Sequence, residues 1–169
     1  VFGSAVPALL WGVAFANIVR GVPLAEQAGN IEYVGGFFNL LNPFALLGGV
    51  TFVAIFLTHG AIFLSLKTGG VIRERSEAVA RRMSLAAIVV AGVWAVWAQL
   101  AYSRNTWTWA AVALAAVALV AAWGSTLKGR FGWAFTANAV AIVGAVVLIF
   151  GAMYPNVMPA SNDVANSLT

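Results

Sequence analysis

Hydrophobic residues in this chain are gathered into five long runs that short polar segments separate. The runs cover residues 1–19, 43–66, 83–102, 106–127 and 131–154. A helix needs roughly 20 apolar residues to cross a hydrocarbon layer of about 30 Å, and each run is about that long. The pattern therefore predicts an all-α fold, a polytopic transmembrane bundle of five spans that forms a single membrane domain over residues 1–169.

Basic residues are distributed unevenly among the segments between the spans. The segments 67–82 and 128–130 hold seven of the nine Lys and Arg residues, whereas Arg20 and Arg104 stand alone in alternate segments. Cytoplasmic loops of membrane proteins carry an excess of Lys and Arg. This rule predicts that 67–82 and 128–130 are cytoplasmic and that the C-terminal end lies outside. The two faces are named the predicted cytoplasmic side and the predicted outer side.

Composition narrows the class of protein further. Hydrophobic residues make up 62% of the chain and charged residues only 8%, with a mean hydropathy of +0.93. A soluble domain carries about 25% charged residues, so water is not the expected solvent. The net charge of +4 lies between spans and does not form a phosphate-binding patch, which argues against nucleic acid. With no cysteine, disulfides and thiolate metal sites are excluded.

The first run does not have the form of a signal peptide. No basic segment precedes it and no small-residue cleavage site follows it, and the chain opens with Val1 inside an apolar run. We interpret the sequence as an internal piece of a longer membrane protein.

Local signals at two span boundaries predict how helices begin. Asn42 can cap a helix that has Pro43 at its first position. The segment 70–82 follows two glycines and spaces Arg73, Glu77 and Arg81 four residues apart, which favours a helix continuous with the third span.

His59 is the one ionisable side chain inside a predicted span. The interpretation we favour is a neutral histidine hydrogen-bonded across a helix interface or to an internal water. Metal or haem ligation within this chain is disfavoured, because no second histidine, no cysteine and no intramembrane acid accompanies it. A role in proton transfer or quinone contact remains the alternative.

Other polar residues in the spans have simpler explanations. Thr51, Thr58 and Ser65 recur at every seventh position, and we expect their hydroxyls to bond to carbonyls of their own helix rather than to line a cavity. Gln99 and Asn138 are uncharged amides that can join neighbouring helices. Gln99 is also a candidate for contact with a quinone or a cavity.

Three asparagines cluster at the predicted outer ends of the first two spans. Asn17, Asn39 and Asn42 are candidates for contact with a quinone head group or with a partner's loop. Helix capping and loop hydrogen bonds explain them equally well. We predict no catalytic residue and no metal ligand in this chain.

Four segments bear a resemblance to a known family. They are GSAVPALLWGVAFANIVRGVPL (3–24), FFNLLNPFALLGGV (37–50), LTHGAIFLSLKTGG with the basic helical segment after it (57–82), and MYPNVMPAS (153–161). Together they resemble subunit II of cytochrome bd-type quinol oxidases. The third and fourth spans resemble that family only in hydrophobicity and position.

The resemblance implies a membrane heterodimer that oxidises quinol and reduces dioxygen to water. It places two b-type haems and haem d in subunit I, and makes this chain a partner that ligates no haem. Some members also carry a structural quinone and a proton route in subunit II, but the acids of that route lie in a part of the family absent from this chain. The chain departs from the family at His59, where glutamine is usual, and in its short SRNTW connection (103–107).

Two other classes of protein remain as alternatives. A fragment of a secondary transporter would show paired broken helices and an internal repeat, and the sequence has neither. A membrane scaffold protein without a haem-bearing partner is compatible with the composition.

Overall fold

The computed structural model describes residues 2–27 and 29–169. Within them, five helices are long and apolar enough to cross a membrane. They are α1 (Phe2–Arg20), α2 (Pro43–Lys67), α3 (Gly70–Ala101), α4 (Thr108–Leu127) and α5 (Phe131–Met153). The helices lie where the hydrophobic runs predict spans, and they confirm the predicted helical membrane bundle.

The predicted helix-prone segment after the second span is the start of α3, which is 32 residues long. Its ion pairs are those expected from the spacing, because Glu77 lies 2.9 Å from Arg73 and 3.4 Å from Arg81. Arg81 also donates from Nε to the carbonyl of Thr126, at the end of α4. A cation there complements the negative end of the helix dipole.

Small residues allow the helices to approach closely. A Cβ atom added to Gly12 of α1 would lie 2.6 Å from the carbonyl oxygen of Gly48 in α2, which is too close for any side chain. Gly144 of α5 faces Ala115 of α4 less tightly, with 3.1 Å between the added Cβ and the alanine methyl. Van der Waals packing between close backbones is a main source of helix association in lipid.

The buried core runs through the bundle in three apolar clusters. One, around Phe44, Trp94 and Leu148, lies towards the predicted outer side. A second forms around Ile55 and Leu119, and the third, around Ile62, lies towards the predicted cytoplasmic side. The indole of Trp94 stacks on Phe44 with ring centroids 5.5 Å apart.

The predicted outer side carries structure that the hydrophobic pattern does not indicate. The segment between α1 and α2 contains an antiparallel hairpin of β1 (Leu24–Gln27) and β2 (Asn30–Tyr33), followed by a 3₁₀ turn (Phe37–Leu41). After α5 the tail folds back over this loop and pairs with itself and with Val22. Loop and tail thus form a cap over the helix ends.

Candidate functional site

The three asparagines at the predicted outer side come together. Asn17 donates from Nδ2 to the carbonyls of Val13 and Leu40, at 2.9 and 2.7 Å, and accepts at Oδ1 from Asn42 over 2.8 Å. Asn42 accepts from the backbone N–H of Ala45, which is the predicted helix cap. Both amide groups are therefore used to join α1 to the start of α2.

Asn39 is the exposed member of this cluster. Its backbone carbonyl accepts from Asn42 over 3.1 Å, and its side-chain oxygen accepts from Arg20 over 3.3 Å. Sequence reasoning did not assign Arg20 to this group, because the bond depends on the path of the loop between them. Hydrogen bonds within this cluster thus hold the loop between α1 and α2 against the ends of the two helices.

Gln99 belongs to a second polar network, at the turn between α3 and α4. Its Oε1 accepts from the hydroxyl of Thr108 over 2.7 Å, and its Nε2 donates to the carbonyl of Asn105. Asn105 in turn donates to the carbonyls of Gly151 and Tyr154, at 2.8 Å each, and so caps the end of α5. The short connection thereby ties three helix ends together.

His59 lies in α2 about 12 Å from the end of that helix at Lys67, counting 1.5 Å for each of eight residues. Its Nδ1 is 3.0 Å from Nδ2 of Asn138 in α5, so the two side chains join the helices as the favoured interpretation predicts. The imidazole also packs against Phe135, with ring centroids 4.5 Å apart. This contact, too, is with α5.

The His59–Asn138 pair leaves polar atoms without partners. Asn138 is fully buried, and its Oδ1 has no hydrogen-bond partner among the described residues. Nε2 of His59 also has none there, and this atom is not completely buried in a side chain that is itself partly exposed. If Nδ1 accepts from the Asn138 amide, Nε2 carries the imidazole proton. An N–H group left without an acceptor in hydrocarbon costs several kcal/mol, which favours an acceptor at that point in the assembled protein.

The hydroxyl stripe on α2 bonds to its own helix, as predicted. Thr51, Thr58 and Ser65 donate to the carbonyls of Leu47, Ala54 and Ile62, at 2.8, 2.8 and 2.6 Å. All three residues are buried.

Across residues 2–27 and 29–169, no three side chains of His, Cys, Asp or Glu come close enough together to hold a metal ion. The sequence contains a single histidine and no cysteine.

The fold and its polar sites define a class: a multi-pass helical membrane protein whose intramembrane polar groups mostly satisfy one another. Comparison with known proteins then gives the family. The model of the family "Cytochrome bd terminal oxidase subunit II" matches residues 1–169, and the chain belongs to that family.

Curated relatives agree with this membership. The chain is 33% identical to the "Probable cytochrome oxidase subunit 2" of Haemophilus influenzae, over 98% of this chain and 53% of that protein. It is 30% identical to the "Cytochrome bd-I ubiquinol oxidase subunit 2" of Escherichia coli K12, over 99% and 53%. With the "Cytochrome bd ubiquinol oxidase subunit 2" of Bacillus subtilis it shares 27%, over 99% and 50%. The chain thus spans about half the length of these relatives.

Proposed function

We propose that this chain is part of subunit II of a cytochrome bd-type terminal oxidase, which couples quinol oxidation to the reduction of dioxygen to water in a bacterial or archaeal plasma membrane. The family match over residues 1–169 carries the proposal. The relatives from E. coli and B. subtilis are named as ubiquinol oxidase subunits, which supports a quinol as the electron donor.

Within that enzyme, we propose that the chain ligates no haem and packs against a haem-bearing subunit I that holds two b-type haems and haem d. Among the residues that the structure describes, no group of three His, Cys, Asp or Glu side chains is placed to hold a metal ion, which agrees with this division of roles. So do large apolar side chains on the outside of the bundle, including Trp11, which is 60% exposed, and Val117, which is 68% exposed. Such faces suit lipid or a partner's helices.

The test is to produce the full-length subunit with an affinity tag in its native membrane and to purify it in a mild detergent. The expected result is a co-purified partner, a reduced-minus-oxidised spectrum with haem b and haem d bands, and quinol-dependent oxygen consumption. An intact tagged protein without any haem-bearing partner would instead support a transporter fragment or a scaffold.

Among the five candidates for quinone contact, we propose His59. Asn17, Asn42 and Gln99 use both of their amide atoms within the chain, and Asn39 lies exposed at the loop. Nε2 of His59 has no hydrogen-bond partner among the described residues and is not completely buried, so it could donate to a quinone carbonyl. We expect His59→Phe to lower the quinone that co-purifies with each complex, and His59→Gln, which keeps a donor, to retain it. A quinone content in His59→Phe equal to that of the wild type would remove His59 from consideration.

We also propose that segments 67–82 and 128–130 face the cytoplasm, because they concentrate the basic residues. The chain itself has no cysteine. Once any cysteines in the rest of the subunit are replaced, a single introduced cysteine reports on which side of the membrane its position lies. A membrane-impermeant maleimide should label Glu32→Cys in intact cells but should label Glu74→Cys only after the membrane is opened. The reverse pattern would invert the proposed topology.

A further inference from the structure

A cleft of about 690 Å³ opens at the predicted outer side, between the helix ends and the tail. Buried apolar residues, Val19, Ala152 and Met153, contribute to its wall, and polar residues of the α3–α4 turn and the tail complete it. Its volume is within the range of pockets that bind small molecules, roughly 300–1,000 Å³. No candidate residue of the sequence analysis lines it.

Two arginines line this cleft, Arg20 from the end of α1 and Arg104 from the α3–α4 turn. Arg104 has no hydrogen-bond or ion-pair partner in the described part of the chain. Arg20 uses only Nη1, on Asn39, so that the donors on its Nε and Nη2 are left over. A guanidinium carries five N–H donors and matches phosphate oxygens in two-point contacts.

One acidic residue, Asp163, also lines the cleft. It does not pair with either arginine, because neither of the ion pairs found in the described residues includes it. Its Oδ1 instead accepts from the backbone N–H of Ala165 over 3.0 Å, at the start of a 3₁₀ turn. The two arginines and this aspartate therefore give the lining of the cleft a net charge of +1.

Exposed aromatic side chains indicate the depth of the cleft in the membrane. Trp107, Trp109 and Tyr154 lie at the same helix ends and are 53%, 43% and 68% exposed. Tryptophan and tyrosine concentrate at the depth of lipid head groups. A cationic cleft with an apolar wall at this depth has the chemistry of a phospholipid site, with phosphate on the arginines and the glycerol region on the wall.

We propose that this cleft binds the phosphate of a phospholipid head group from the adjacent leaflet, through Arg20 and Arg104. The inference is independent of the proposed enzymatic function. Inorganic phosphate would share the same recognition chemistry, and the apolar wall favours the lipid.

The experiment uses the complete protein, purified in its native assembly and delipidated in mild detergent. Phosphatidylglycerol is added back, and native mass spectrometry counts the lipids bound as its concentration rises. Because each substitution removes charge-assisted hydrogen bonds to the phosphate, we expect Arg20→Gln and Arg104→Gln each to weaken one saturable lipid site at least about tenfold. Arg75→Gln, on the opposite side of the membrane, is the matched control and should leave this site unchanged.

Size-exclusion elution and circular dichroism confirm that the variants are folded, and Arg104→Lys, which keeps the charge, should retain part of the affinity. A second arm measures binding of radiolabelled inorganic phosphate to the same proteins. Equal lipid binding in wild type and in both Gln variants would overturn the proposal. Arginine-dependent binding of inorganic phosphate with an unchanged lipid count would overturn the assignment to a lipid.

Discussion

At the scale of single residues, the intramembrane amides act mainly as connectors between helices. Asn17 and Gln99 each join two chain segments with both ends of the amide, and Asn138 reaches across to His59. In a membrane, such bonds replace water, which is absent from the hydrocarbon region. In the His59–Asn138 pair, Nε2 of His59 and Oδ1 of Asn138 have no hydrogen-bond partner in the described chain.

A double-mutant cycle should measure the strength of that pair. We expect His59→Phe and Asn138→Ala to be coupled by about 0.5–1.5 kcal/mol in the free energy of unfolding, the range measured for interhelical hydrogen bonds in membranes. Unfolding of the complete protein in mixed micelles gives the four values. As a control, His59→Phe combined with Asn105→Ala, whose partners lie at the other end of α5, should be additive. A coupling energy of zero for His59 and Asn138 would mean that the bond contributes nothing to stability.

At the scale of helices, the crossing of α1 and α2 depends on glycine. Added Cβ atoms at Gly12 and Gly48 would lie within 2.6 Å of atoms on the opposite helix, and at Gly48 the nearest of these is the methyl of Ala16. The indole nitrogen of Trp94 is 2.9 Å from the same position. Because backbone and core atoms surround it, this contact cannot relax by moving a flexible side chain.

Gly48→Ala should therefore destabilise the protein by about 1–3 kcal/mol, as overpacking of a dense core does. Gly60 in the same helix has no atom within 4 Å of an added Cβ, so Gly60→Ala serves as the matched control. The control should be neutral or slightly stabilising, because alanine favours a helix more than glycine does. Thermal unfolding of both variants in one detergent provides the measurement, and equal midpoints would contradict this account of the crossing.

At the scale of the whole molecule, the cap on the predicted outer side joins distant parts of the chain. Asn162 in the tail accepts from the backbone N–H of Leu24 over 2.9 Å and donates to its carbonyl over 2.8 Å, so that it completes a strand-like pair with the loop. Beside it, the backbone N–H of Ser161 donates to the carbonyl of Val22 over 3.0 Å. Loop and tail hold each other in place although 138 residues separate Leu24 from Asn162.

Asn162→Ala should loosen the contact between the tail and the loop while leaving the helices intact. We expect faster hydrogen exchange in 158–168 and in 22–25, with unchanged exchange in the spans, because the two lost bonds hold surface backbone rather than core. Asn156→Ala is the control, since that side chain has no hydrogen bond in the described structure. Exchange mass spectrometry of the complete protein decides the matter, and identical traces for the two variants would show that the tail does not depend on Asn162.

Much of this protein was determined by its sequence alone. The five spans follow from apolar runs of sufficient length, since in lipid a single segment satisfies its own backbone only as a helix. The Asn42 cap, the Arg73–Glu77–Arg81 ion pairs and the hydroxyl bonds of α2 are local, within four residues, and local spacing predicts them. The family resemblance also rested on short segments and is confirmed.

Only the tertiary structure decided which distant groups meet. Three features depend on how the polar loops cross the helix ends: the hairpin, the docked tail and the cleft lined by Arg20 and Arg104. The spacing of hydrophobic residues does not predict the path of such loops. The pairing of His59 with Asn138 likewise depends on the rotation of α2 against α5. That rotation is set by the sum of many small packing contacts between helices. A sequence shows that His59 lies within a membrane helix, whereas the packing of that helix selects its partner.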